Sequence, residues 1–491
     1  MLDPSLIRAA ASFVAYVLIV AGPSLFAQAP DRSKPPSPGP IPSLKLPPIQ
    51  HLKLSNDLQV ILMEKHNVSL VQMELVAQTG SAMDPPALPG LADMTASMLE
   101  EGAGSRTALQ LADAIDFLGA NISPYAGQHT LGVVMHASLS KVDSALALFA
   151  DMVLRPTFPS EELERNRKER LTTLTQWRDD PPQISRVLFN QTLFGPDHPY
   201  GRITIGNEKS LRAMSVDDLR KFHRKYVRPN NSALIVVGDV TAKEILPRLE
   251  DAFGKWERGE TDQQPFPAAE QVKERTVYLV DKPGAPQSVI TVGRIGARRA
   301  TEDYFPLIVM NTILGGSFRS RLNQNLRETH GYTYGAFSGF DFLMNPGAFR
   351  AAASVQTAVT DKALTEFMKE IKGILEPVSD EELSRAENYL TLKYPGNFQS
   401  VAQVADQLVD LFLYRLGDEY FDEYNSRVRA VTKEDVQRVA RKYLDPEKMA
   451  IVVVGDRKQV EQGIAGLSLG TIRNLTIEDV LGPAPAPEGG R

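Results

Sequence analysis

Two periodicities alternate along this chain. L-Q-V-I-L-M from Leu58 and S-L-V-Q-M-E-L-V-A from Ser69 are apolar, β-rich runs of strand length. Helical spacing of apolar residues predicts helices over 108–118, 142–154 and 161–177. Hairpin-like strand pairs fall between helices, 121–126 with 131–137 and 333–340 with 347–354. Strands in adjacent pairs, with helices grouped beside them, predict an α+β layer architecture.

Sliding the chain by 217 positions against itself aligns 215–239 with 432–456 without a gap, and ten of the twenty-five pairs are identical. Arg224-Lys225-Tyr226 meets Arg441-Lys442-Tyr443, and Val236-Val237-Gly238-Asp239 meets Val453-Val454-Gly455-Asp456. Each copy reads as an acid-capped helix, a Pro turn and a buried strand ending at Gly-Asp. The chain is therefore expected to be two related halves, 51–258 and 276–470, joined by the polar, Pro-containing connector 259–275 and followed by a tail, 471–491.

The first residues change the picture. Arg8 precedes a charge-free stretch from Ala9 to Ala29, and Ala27-Gln28-Ala29 has the small-x-small form of a signal-peptidase site. A signal peptide over 1–29 and export to a bacterial periplasm are expected; contact with a membrane follows only if the segment stays uncleaved. The Pro- and Ser-rich stretch 30–50 favours extended backbone and reads as a tether.

At 491 residues, 43% hydrophobic and 23% charged, the chain has the balance of a globular protein of two or more domains. A formal net charge of −6 and a pI near 5.8 lack the basic footprint that nucleic-acid binding needs. With no cysteine, thiolate metal sites and a cysteine nucleophile are excluded. The seven histidines are followed four positions on by Ser55, Leu70, Val133, Ser140, Arg202, Val227 and Tyr334, so no pair sits one helical turn apart. Gly466-Leu467-Ser468-Leu469-Gly470 matches a serine-hydrolase elbow, but no His follows His330.

Residues Gly90 to Leu99 read G-L-A-D-M-T-A-S-M-L, and from Ser320 the chain reads S-R-L-N-Q-N-L-R-E-T-H-G-Y-T-Y behind Gly315-Gly316. Together with His198-Pro199-Tyr200-Gly201, these strings resemble insulinase/pitrilysin-type zinc metallopeptidases, the group that includes mitochondrial processing peptidase. The likeness runs from about Leu58 to Asp456. It implies two homologous domains, each a mostly antiparallel sheet covered by helices. In that family the first string carries His-x-x-Glu-His; here Asp93, Ala96 and Ser97 stand at those positions. Aligned through Trp177-Arg178-Asp179-Asp180-Pro181, the distal metal-binding Glu falls at Thr172 or Thr173.

The second half departs less from the family. Arg327 and Tyr334 stand where these peptidases carry an Arg and a Tyr that hold the substrate backbone and stabilise the tetrahedral intermediate. Taken alone, an Arg near a helix end and a strand Tyr are ordinary structure. Gly315-Gly316, Arg321-Leu322, Leu326-Arg327 and Gly331 at family spacing favour the functional reading, with Tyr332 as an alternative phenol sharing a strand face with Tyr334. The resemblance implies a non-catalytic, substrate-handling subunit of an exported heterodimeric zinc peptidase. Zinc is then expected in a homologous partner with His-x-x-Glu-His, no cofactor on this chain, and a peptide as substrate. The alternative is a structural or peptide-binding scaffold of the same fold, and a third reading is a self-sufficient metalloenzyme.

Overall fold

The computed structural model describes residues 44–260 and 266–485. The expected signal peptide 1–29 and most of the stretch 30–50 lie outside these residues. Among the described residues, no helix is long and apolar enough to cross a membrane.

The strands are β1 (Gln50–Lys53), β2 (Gln59–Glu64), β3 (Leu70–Ala77), β4 (Gly102–Ala103), β5 (Arg106–Thr107), β6 (Asn121–Ala126), β7 (Leu131–Ser138) and β8 (Ser232–Gly238), then β9 (Thr276–Asp281), β10 (Gln287–Ile295), β11 (Thr333–Phe342), β12 (Pro346–Gln356), β13 (Ala450–Gly455) and β14 (Thr471–Leu475). One six-stranded sheet runs β1-β2-β8-β3-β7-β6 and the other β11-β12-β10-β13-β9-β14. Read from opposite ends, β2, β8, β3, β7 and β6 correspond to β9, β13, β10, β12 and β11. In the first sheet only β2–β8 is parallel; in the second, β9 pairs in parallel with both β13 and β14. This is the two-domain α+β fold that the resemblance implied.

The internal repeat is a helix and central strand in each half: α6 (Val216–Tyr226) with β8, and α8 (Lys433–Tyr443) with β13. Ser215 and Thr432 cap the helices through reciprocal bonds with Asp218 and Asp435, two orphan donors satisfied at each start. Every residue of β8 and β13 is buried, because both faces of these central strands are covered. Gly238 closes its strand at φ 153°, where an added Cβ would lie 2.3 Å from the Leu70 carbonyl oxygen.

The covering helices are exchanged. Further helices are α1 (Leu91–Ser97), α2 (Ala108–Leu118), α3 (Val142–Leu154), α4 (Ser160–Trp177), α5 (Pro181–Phe194) and α7 (Val401–Tyr414). From the first half, α5 packs on β10 and β13 of the second sheet, while α7 of the second half packs on β3 and β8 of the first. Ile184, Val187, Leu188, Phe189 and Leu193 of α5 join a core with Val289, Val452 and Val454. Val404, Ala405, Leu408 and Leu411 of α7 join one with Val76, Ile235 and Val237. Gly293 permits the close approach of α5: a Cβ there would meet Phe189 Cζ at 2.7 Å.

Two chain ends differ from the sequence reading. Residues 471–485 do not run on as a tail: β14 adds a sixth strand beside β9, and a helix Ile477–Leu481 buries Val480 against the α5 core. At the other end Leu44, Leu46 and Ile49 are partly buried against the core rather than fully extended into solvent. Both segments carry only a few apolar residues, too few to give a clear periodicity, and their burial depends on strands far away in sequence.

Glu74 lies on the β3 face that meets α7. The Tyr125 hydroxyl donates to it at 2.5 Å, its second oxygen has no partner, and Asp406 of α7 adds repulsion. Burial pushes its carboxyl up from 4.5 to about 7. A folded-state value above the unfolded one gives stability that is complete below about pH 4.5 and lost as pH rises through about 7. Glu74→Gln should therefore gain on the wild type by on the order of 3 kcal/mol between pH 4.5 and 8. Urea denaturation of both proteins across that range measures it, since the buried histidines titrate equally in each. A difference that stays constant with pH would contradict a strained, ionisable Glu74.

Candidate functional site

The helix at the centre of the family likeness is short and almost wholly buried. Asp84 starts it: its carboxylate accepts from the Gly90 amide at 2.7 Å and the Ala92 amide at 2.8 Å. Burial pushes the Asp84 carboxyl up to about 7 even though these amides and Arg202 pull the other way. Gly90 sits at φ 90°, and a Cβ on it would lie 2.5 Å from the Gly206 amide, so glycine is required. Leu91, Ala92, Met94, Thr95 and Ala96 face the core. Asp93 and Ser97, one turn apart, are left partly exposed.

A guanidinium engages both outward positions of this helix. Arg170 of α4 pairs with Asp93 Oδ2 at 2.7 Å and donates to Ser97 Oγ at 2.9 Å, while Ser97 Oγ donates to its own helix at the Asp93 carbonyl. Burial raises the Asp93 carboxyl from its ordinary value, against the pull of Arg170. Asn166 reinforces the contact by donating to Glu101 at 2.9 Å, just beyond α1. Thr172 and Thr173 are not brought into this cluster by a hydrogen bond; their hydroxyls turn back to the Lys168 and Glu169 carbonyls. Ala96 is 3% exposed and offers no base.

These residues do not fit zinc. One carboxylate, no imidazole and a resident cation would repel a divalent ion rather than coordinate it. No group of three or more His, Asp or Glu side chains suited to a metal occurs among the described residues. The histidines are engaged elsewhere: His223 with the Val153 carbonyl at 2.9 Å, His198 with the Pro267 carbonyl at 3.1 Å, His66 with Asp239 at 2.9 Å. Sequence reasoning missed Arg170. The sequence places a cation two or three residues before the expected carboxylate position, but nothing in it shows that this side chain meets α1.

Arg170→Met should cost about 1 kcal/mol in urea denaturation, the scale of a part-exposed ion pair, and Asp93→Asn with Arg170→Met together should cost no more. Additive losses in the double variant would mean the two side chains do not act on each other.

In the second half the chain departs from ordinary helix geometry. Residues Gln324–Thr329 form a π-helical turn, with the His330 amide bonded to the Asn325 carbonyl at 3.1 Å. Arg327 lies in it, half-exposed, stacked 4.5 Å from the centre of the Phe318 ring and 3.4 Å from Glu328. Tyr334 is 91% exposed at the start of β11. The expectation that Tyr332 and Tyr334 share a face fails: the pairing of β11 with β12 slips between Thr333 and Ala336. Tyr332 stacks on His330 at 4.9 Å and packs against the core, leaving Tyr334 as the free phenol.

The two halves, their paired sheets and the remnant helix define a metallopeptidase scaffold. The model of the insulinase family (peptidase family M16) matches residues 59–203, and that of the peptidase M16 inactive domain matches residues 213–390. The chain belongs to the insulinase family, peptidase family M16. It is 28% identical over 309 residues to an uncharacterized zinc protease of Mycobacterium leprae, covering 63% of this chain and 68% of that one. To an uncharacterized zinc protease of Streptomyces coelicolor it is 24% identical over 416 residues, covering 84% and 90%. Among solved structures, a peptidase M16 inactive domain from Pseudomonas fluorescens superposes with a TM-score of 0.78 at 24% identity, covering 83% of this chain and 98% of that one. A protease from Helicobacter pylori gives 0.75 at 19% identity, covering 84% and 100%.

Proposed function

We propose that this chain is the non-catalytic, substrate-handling subunit of an exported heterodimeric zinc metallopeptidase. The observation that carries the proposal is an asymmetry between its halves. The first half has a metal helix whose outward positions are bound by Arg170, whereas the second presents Arg327 and Tyr334 to solvent on two irregular stretches of backbone. π-helical turns and bulges are locally costly and concentrate at functional sites.

The chemistry suits the role. The Arg327 guanidinium offers several fixed donors to the carbonyls of an extended peptide, and the Tyr334 phenol can donate to an oxyanion forming at the scissile carbon. Neither group activates water, so hydrolysis requires zinc and a carboxylate base from a homologous His-x-x-Glu-His chain. Export rests on Arg8 and the apolar stretch that follows it.

Affinity purification of the chain from the exported fraction of its native cells tests the partnership. A zinc peptidase of the same family is expected to come down in equimolar amount, resistant to moderate salt. Recovery of the chain alone, or with structural proteins only, would replace this reading with the scaffold alternative.

A further inference from the structure

Between the two halves lies a cavity of about 380 Å³, within the size range of small-ligand sites. Phe266 of the connector and Met344 and Leu413 of the second half supply apolar wall. Thr79, His129 and Arg415 supply polar groups. Nothing in the fold uses the first of these: Thr79 is 1% exposed and its hydroxyl has no hydrogen-bond partner, which is costly for a buried group left dry.

His129 is 7% exposed, and burial lowers its ring to about 4, so it is neutral at ordinary pH. Its Nε2 lies 2.5 Å from the Tyr200 hydroxyl, which already accepts from the Asn345 amide at 3.2 Å. The arrangement that uses the hydroxyl proton has Tyr200 donating to Nε2, which assigns the ring proton to Nδ1 as a donor still to be used. Arg415 ends α7 at φ 52°, in the left-handed region where glycine is the low-cost residue. It is exposed at the rim and has no carboxylate partner among the described residues. Asp410, five residues back on α7, interacts electrostatically with Arg299.

A largely apolar chamber lined by Thr79 and the neutral His129, with the exposed Arg415 guanidinium at its edge, matches a ligand with a hydrophobic body and one carboxylate. We propose that the cavity between the halves binds a small apolar monocarboxylate, such as the C-terminal residue of a peptide. The site is distinct from Arg327 and Tyr334, so it stands or falls independently of the subunit role. A ligand seated there touches both halves and would hold them in one relative position.

Calorimetric titration of the purified full chain tests the inference, using N-acetylphenylalanine, its amide and octanoate as probes. N-acetylphenylalanine should bind saturably at one site, with the amide at least about tenfold weaker because the charge-assisted contact is lost. Arg415→Gln should weaken the acid about tenfold and leave the amide unchanged, and Leu413→Trp should abolish both. Thermal unfolding of each variant controls for folding, and Arg415 is exposed, so its replacement leaves the core intact. Octanoate binding as tightly as the amino acid would assign a free acid as the natural source; octanoate failing where the amino acid binds would assign a peptide end. Equal affinity for acid and amide, an Arg415→Gln variant that binds like wild type, or no saturable binding by any probe would overturn the proposal.

Discussion

Expressed separately, residues 44–258 and 276–485 are each expected to be unable to fold, whereas the two halves produced together should assemble. The sequence reads as two related halves, but the exchanged helices tie each core to the other half. Alone, the first half would expose the apolar side of α5 and the β3–β8 face that α7 covers. Burying five large side chains of α5 stabilises by about 10 kcal/mol, comparable with the whole stability of a typical domain. Phe189→Ala in the intact chain is the single-residue version, at about 3–5 kcal/mol for a ring that is 1% exposed. Near-UV circular dichroism and urea titration of each half decide the matter. A cooperative transition in either half alone would show that the exchange is dispensable.

In a complex with a zinc-bearing partner, Arg327→Ala should lower kcat/KM for peptide hydrolysis by about 10²–10³-fold, the scale of losing a preorganised donor to developing charge. The loss should fall mainly on kcat if the guanidinium acts on the transition state, and on KM if it grips only the substrate backbone. Tyr334→Phe removes one donor and leaves the ring, so a smaller loss of about tenfold is expected, confined to kcat. Because Tyr334 is 91% exposed and Arg327 half-exposed, neither change should alter the melting temperature measurably. Full activity in both variants would remove them from substrate handling. A fall in activity matched by a fall in stability would make their role structural.

Much of this was legible in the sequence for specific reasons. The repeat registered because α6–β8 and α8–β13 are central in their sheets, where caps and all-buried strands leave little freedom. The hairpins β6–β7 and β11–β12 and the helices α2, α3 and α4 carry their own periodicity. The exchange of α5 and α7 was not legible, because amphipathic spacing says that a face is buried and not which sheet buries it. Arg170 was hidden for a related reason: whether a helical cation meets α1 depends on how two helices cross. The divergence of Tyr332 from Tyr334 came from a slip in strand register, which alternation alone does not reveal. Thr172 and Thr173 followed from aligned spacing, and the loss of a carboxylate there was readable, but the pairing of Arg170 with Asp93 was not.

The central claim is that this chain cooperates in peptide hydrolysis without holding the metal. Its most direct test is the initial rate of peptide hydrolysis, with zinc content measured on the same samples, for the chain alone, the His-x-x-Glu-His partner alone and their equimolar mixture. The mixture should hydrolyse peptide at least about a hundredfold faster than either component, with one zinc per pair carried by the partner. Hydrolysis by this chain alone with stoichiometric zinc would contradict the account.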